Sequence, residues 1–255
     1  MKFIDSHAHL ILEAFDKDRE EVIDEAFSNN ITHILQSCDN LEEIEKNLVL
    51  TKKHKNMYSS VGIHPHEAKS WNNMSKDTII KYTKEEKVIA IGETGLDFYY
   101  NYSPKDVQLQ VFREHIKIAK EKSLPLIIHT RDAFPETLQI LKEEKTDACG
   151  VFHCFTGNIE AAREAMALGF YISWSGIITF KNADDLRLVV KEVPLENTLI
   201  ETDCPFLTPV PYRGKRNEPQ FVKKVAEELA KIKNVSVEEI GEITSENVKR
   251  LFGIK

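Results

Sequence analysis

Eight short apolar runs recur along this chain, and six of them stop at a histidine or a carboxylate. The runs fall at residues 3–4, 32–36, 57–62, 87–92, 124–128, 148–152, 170–173 and 198–202. The run at 87–92 is continuous rather than alternating, the pattern of a strand buried on both faces. Segments with helical spacing of apolar residues separate most of the runs, at 16–27, 41–50, 77–82, 103 onward, 132–141, 159–168 and 182–193. Parallel strands need crossovers of this kind, and eight successive β–α units close naturally into a barrel. The expected fold class is therefore α/β, a TIM (β/α)8 barrel with C-terminal helices, the last two lying beyond Glu218. A doubly wound open sheet is the alternative. It normally carries a glycine-rich phosphate loop after its first strand, and here Ser6-His7-Ala8-His9 stands in that place.

Local signals agree. Pro104 follows Ser103 at the expected start of the long helix, Gly169 closes the segment at 159–168, and Ser236 with Glu239 has the spacing of a capping box. The chain has 255 residues, without internal repeat, low-complexity tract or linker, and is expected to form a single domain over residues 1–255. No run approaches 18 apolar residues and the opening Met1-Lys2-Phe3-Ile4 is no signal peptide, so a cytoplasmic protein without membrane contact is expected. Cys38, Cys149, Cys154 and Cys204 form no C-x-x-C pair and read as free thiols, small apolar fillers near strand ends.

The net charge of −7 argues against a broad surface for coating nucleic acid, but not against a phosphate substrate held locally. The chemistry collects at strand ends. On a strand, Asp5, His7 and His9 share a face. His64 and His66, Glu93 and Asp97, His129, His153 and Asp203 likewise stand at or just past the ends of other strands. In a barrel those ends form one rim, which is where active sites are built. Histidines and carboxylates in this number exceed what one tetrahedral catalytic zinc needs, which points to two ions. Glu93, on a central strand, is the candidate to bridge them, and Asp203 to ligate one and take a proton from water. His64 is a candidate to orient substrate or shuttle a proton, His66 reads as a supporting residue, and Asp5 as a support one layer deeper. His115, on the long helix, reads as a solvated or edge histidine.

A basic stretch follows Asp203 closely. Tyr212, Arg213, Lys215 and Arg216 suit phosphate oxygens and a stacked base, and Arg131, just after His129, is expected in the same space. Trp174 and the aromatics at 98–102 are open to two readings, stacking of unpaired bases or packing of a lid.

The motifs Phe3-Ile-Asp-Ser-His-Ala-His9, Gly62-Ile-His-Pro-His66, Gly92-Glu-Thr-Gly-Leu-Asp97, His129-Thr-Arg-Asp132, His153-Cys-Phe-Thr-Gly157, Glu201-Thr-Asp-Cys-Pro-Phe-Leu207 and Pro211-Tyr-Arg-Gly-Lys-Arg216 together resemble the TatD family of metal-dependent hydrolases, within the amidohydrolase superfamily. The resemblance runs from the first strand to past the eighth. It implies a TIM barrel with a binuclear centre of divalent ions (Zn, Mn or Mg), ligated by His7, His9, Glu93, His129, His153 and Asp203, with Glu93 bridging. It also implies a deoxyribonuclease, of 3′-to-5′ exonuclease type, with DNA as substrate (single strands or 3′ ends) and no obligate protein partner. Some TatD-like proteins are linked to removing D-amino acids from mischarged tRNA, so an ester or amide hydrolase is the alternative. Many binuclear relatives bridge their metals with a modified lysine. Glu93 at the matching position disfavours a hydantoinase or phosphotriesterase.

Overall fold

The computed structural model describes residues 1–144 and 149–254. Its eight strands are β1 (Phe3–Ala8), β2 (Ile31–Gln36), β3 (Met57–Val61), β4 (Val88–Asp97), β5 (Leu126–Arg131), β6 (Gly150–Phe152), β7 (Phe170–Trp174) and β8 (Thr198–Ile200). They lie in sequential order, each parallel to the next. Around them run α1 (Arg19–Ser28), α2 (Leu41–Lys53), α3 (Asn73–Tyr82), α4 (Lys105–Lys122), α5 (Phe134–Glu143), α6 (Ile159–Ala167), α7 (Asp184–Glu192), α8 (Val222–Lys233) and α9 (Val237–Phe252). Closure comes where β1 meets the chain leaving β8. Asp203 N–H donates to His7 O at 3.0 Å and His9 N–H to Cys204 O at 2.8 Å. This is the expected (β/α)8 barrel, and its seam is stitched by the residues that carry the chemistry.

One residue from each of six strands, Ile4, Leu35, Ala90, Ile127, Val151 and Leu199, packs into a cluster separate from the strand–helix core, together with Leu251 and Phe252 at the end of α9. The C-terminal helix thus seals the interior at the end opposite the rim, which leaves the rim to the polar side chains. Among the described residues no helix is long and apolar enough to cross a membrane.

The boundaries differ from the sequence reading mainly at the rim. β4 runs on through Glu93 to Asp97, because the glycines let it lie against β5, Gly95 pairing with His129. A side chain on Gly95, whose φ is +135°, would meet His129 O at 2.0 Å, so only glycine brings the two strands this close. β5 likewise continues through His129 to Arg131, whereas β8 ends early at Ile200. The segment expected to begin helix at 77 begins at Asn73, since Asn72 and Ser75 cap it reciprocally. Ser236 does cap α9 through Glu239 N–H at 3.1 Å. Of the sixth run, Ala148 lies outside the described residues. Cys38 and Cys204 are buried fillers as expected, but Cys149 is exposed, just before β6 begins.

Candidate metal centre

At the mouth of the barrel Glu93 occupies the centre of the cluster. Its Oε2 lies 3.1 Å from His7 Nε2 and 3.6 Å from His9 Nε2. Its Oε1 lies 2.8 Å from His153 Nε2, 3.0 Å from His129 Nδ1 and 3.2 Å from His64 Nε2. The two oxygens of one carboxylate thus face two sets of imidazoles. On the first side His7 Nε2 and His9 Nε2 are 3.0 Å apart, with Asp203 Oδ1 at 3.7 and 3.5 Å from them. On the second, His129 Nδ1 and His153 Nε2 are 3.3 Å apart. Ligand atoms bound at 2.0–2.1 Å around a tetrahedral ion sit about 3.3 Å from one another. Both donor sets have that spacing, so the residues fit divalent metal.

The electrostatics agree. Burial by itself would raise Glu93, but the surrounding imidazoles of His153, His64 and His7 hold it well below the usual carboxylate range. Asp203 is lowered the same way, against burial, by the His9 hydrogen bond and the His7 and His153 charges. Burial would lower His9, yet Asp39, Asp203 and Glu93 push it up to about 10. His129 and His153 are raised against burial too, by Asp97 with Glu93 and by Glu93 with Glu201. A potential that favours protons on buried imidazoles favours a divalent cation among them for the same reason.

The distal atoms of the rings decide what each presents to the centre. Asp97 lies below the usual carboxylate range, because His129 and His66 outweigh its burial, so it accepts. His129 Nε2–H donates to Asp97 Oδ2 at 3.1 Å, which leaves His129 Nδ1 a lone pair facing Glu93. His153 Nδ1 is oriented by Glu201 at 3.3 Å, and Glu201 is itself held by Cys154 N–H and Ser173 Oγ–H. His64 differs. Its Nδ1 accepts the His66 backbone N–H at 3.1 Å, so the neutral ring carries its proton on Nε2, pointing at Glu93. His64 therefore offers a proton where its neighbours offer a lone pair. His66 Nε2–H donates to Asp97 Oδ2 at 2.9 Å, the supporting place expected of it. Asp5 accepts from Thr202 N–H at 2.8 Å and Thr202 Oγ1–H at 2.6 Å, away from the centre, and burial pushes its carboxyl up to about 8.

His115 corrects the sequence reading. It is fully buried rather than solvated. Its Nδ1–H donates to Val111 O at 2.8 Å and its Nε2 accepts the Ile63 N–H at 3.0 Å, fixing the backbone one residue before His64. Burial lowers its pKa to about 4. The folded value lies below the unfolded 6.5, so its neutral state stabilises the fold above pH 6.5, and the gain is lost as pH falls toward 4. A drop from 6.5 to about 4 corresponds to about 3 kcal/mol. Urea unfolding with chelator present should show the parent losing roughly 2–3 kcal/mol more than His115→Gln between pH 7 and 4. Parallel losses in the two proteins would contradict this.

The basic stretch stands over the same rim. Asn217 Nδ2–H donates to Thr202 O at 2.8 Å and to Phe206 O at 2.6 Å, so the loop after Asp203 returns to where it began. Arg213 and Lys215 are exposed on it and form no ion pair among the described residues. The Arg213 guanidinium lies 3.9 Å from the Phe180 ring centre. Arg216, expected to bind phosphate, is instead bound to Asp18 at 2.7 Å and Glu218 at 3.0 Å, because its side chain turns back toward α1. Tyr212 stacks on Phe221 at 4.5 Å between centroids. Arg131 lies against Tyr99 and Tyr100. Trp174 is fully buried, edge-on to Phe155, so of its two readings packing applies. Sequence reasoning left Glu201 and Asp39 without a role. Glu201 stood two residues before Asp203, a period-two signal. Asp39, 3.7 Å from His9 Nδ1, had none.

A (β/α)8 barrel whose strand ends converge histidines around a shared carboxylate defines a metal-dependent hydrolase. Residues 4–253 match the family described as TatD related DNase, and the chain belongs to that family. It is 48% identical to the uncharacterized metal-dependent hydrolase YabD of Bacillus subtilis, over 98% of each chain. It is 33% identical, again over 98% of each, to a protein of Escherichia fergusonii named 3′-5′ ssDNA/RNA exonuclease TatD. The crystal structure of YjjV, a TatD homolog from Escherichia coli, superposes with a TM-score of 0.94 at 27% identity, covering 99% of this chain and 98% of that one.

Proposed function

We propose that this chain is a phosphodiesterase that trims nucleic-acid ends, of 3′-to-5′ exodeoxyribonuclease type, with two divalent ions (Zn, Mn or Mg) held on either side of Glu93. The observation that carries the reading is the division of Glu93 between its two imidazole sets. His7, His9 and Asp203 would hold one ion, His129 and His153 the other. Ions in that place supply a Lewis-acid clamp for a phosphoryl oxygen and acidify water. The remaining work belongs to the side chains. Asp203, ionised and 13% exposed, accepts the proton of the attacking water. His64 Nε2–H donates to an oxygen of the scissile phosphate. Asp97 and Glu201 keep the His129 and His153 rings in place. Arg213 and Lys215, with Arg131 on the other flank, hold neighbouring phosphates. Arg216 is left out because its carboxylate partners already occupy it. The E. fergusonii relative's name supports the substrate class.

The test is metal-stripped protein on end-labelled single-stranded DNA, with Mg²⁺, Mn²⁺ or Zn²⁺ restored one at a time. Stepwise shortening from the 3′ end is expected with at least one metal. No shortening with any of them, at enzyme in excess, would refute the proposal. Neutralising Arg213 and Lys215 together should lower kcat/KM on DNA by about tenfold or more and flatten its salt dependence. Undiminished turnover would turn the assignment toward the carbonyl ester or amide class, with D-aminoacyl-tRNA as the substrate to try.

A further inference from the structure

We propose that Tyr100 and Tyr102, with Arg131 at their side, form a subsite that stacks an unpaired nucleobase beside the metal centre. The inference rests on the nucleic-acid reading above. It adds that the strand is single there and is gripped through a base as well as through its phosphates.

Three of the nine large apolar side chains left exposed among the described residues are in one short loop: Tyr99 (57% exposed), Tyr100 (45%) and Tyr102 (57%). Such a cluster left in water marks a place of contact. The loop is held in shape. Asp97 Oδ1 accepts the backbone N–H of Tyr99 at 3.0 Å and of Tyr100 at 2.9 Å, so one carboxylate fixes both the loop and, through Oδ2, His129. The rings of Tyr100 and Tyr102 are parallel within 4°, their centroids 5.3 Å apart, and both meet His66 edge-to-face at 5.5 and 4.8 Å. A flat aromatic pair thus stands one residue away from a histidine of the centre.

Charge identifies the occupant. The Arg131 guanidinium lies 4.0 Å from the Tyr99 ring centre and 4.7 Å from that of Tyr100. Lys69 Nζ donates to Tyr102 O at 3.4 Å, and Lys105 Nζ stands 4.3 Å from the Phe98 ring centre. Cations gathered on an aromatic ledge, in a chain of net charge −7, complement a ligand that is both planar and polyanionic. A single strand of nucleic acid meets that description, since every base has a face to stack and each is joined to a phosphate.

The experiment measures binding rather than cleavage. A fluorescent oligo-dT and an abasic strand of the same length, both built with phosphorothioate linkages that resist cleavage, are titrated into the metal-loaded wild-type protein. The base-bearing strand should bind at least about tenfold tighter. That ratio should fall toward one in the Tyr100→Ala/Tyr102→Ala variant and survive in Tyr100→Phe/Tyr102→Phe. Binding of the abasic strand reports whether the alanine variant is folded, and Tyr102→Ala alone reads the same ratio if it is not. A ratio near one in the parent, no binding of either strand, or an undiminished ratio in the alanine variants overturns the subsite. So does a dimer, seen by sedimentation, that the alanine variant breaks, because the ledge then belongs to a second copy. A ratio that behaves as expected while the wild-type protein cuts no unmodified strand with any metal leaves the subsite standing and removes the exonuclease reading.

Discussion

On the proposed two-ion reading, Glu93→Gln should lower hydrolysis by more than about a hundredfold and reduce bound metal from two ions per chain to one or none. Partners that only orient a metal-binding histidine cost about 10–100-fold when removed, and a carboxylate shared between both donor sets must cost more. The substitution keeps the shape and removes one oxygen. An amide nitrogen cannot ligate, and it cannot accept from an imidazole N–H. Whichever way the amide turns, either the His7–His9 side or the His129–His153 side loses its oxygen. The variant also leaves buried imidazoles without the anion that faces them, so thermal unfolding in chelator should shift downward as well. Metal analysis after gel filtration, run beside turnover, checks both parts. Two ions retained with activity within about threefold of the parent would refute the sharing of Glu93.

Asp203→Asn comes next in size. A general base contributes about 10²–10⁴-fold, and the loss should fall on kcat rather than KM. Asp203 is held below the usual carboxylate range, so it is ionised at neutral pH and loses its basic form only as pH falls. The parent's rate should therefore decline on the acid side, and the variant should lack the part of that decline due to this carboxylate. Glu201→Gln makes the control. It lies two residues earlier and acts only by orienting His153, so it should cost about 10–100-fold, mostly as metal affinity, and recover at high metal concentration. Full recovery of Asp203→Asn at saturating metal would leave that carboxylate a ligand and remove it as the base.

Much of this arrangement is legible in the sequence. Fold class followed from counting apolar runs and the helical spacers between them, and the rim followed from what stood at the end of each run. What the one-dimensional pattern misjudged has common causes. The apolar run of β4 ends at Gly92, where Glu93 begins a polar stretch, but here the glycines admit the close approach of β5 that carries Glu93 and His129 together. His115 was read as a surface histidine because helical position says nothing of a backbone N–H offered from a neighbouring loop. Arg216 was read with its basic neighbours because sequence shows charge and not the carboxylate, nearly two hundred residues away, that neutralises it.

The sequence by itself determined the architecture and the inventory of histidines and carboxylates that meet at the rim, because strand periodicity and barrel closure are set by local spacing and are indifferent to detail. Only the tertiary structure decided which nitrogen of each ring faces the centre. That depends on what the other nitrogen touches: Asp97 for His129, Glu201 for His153, and a backbone N–H for His64. It is this last contact, invisible in the chain order, that leaves the neutral His64 ring with its hydrogen on the nitrogen facing Glu93, where His129 and His153 are held from behind by carboxylates.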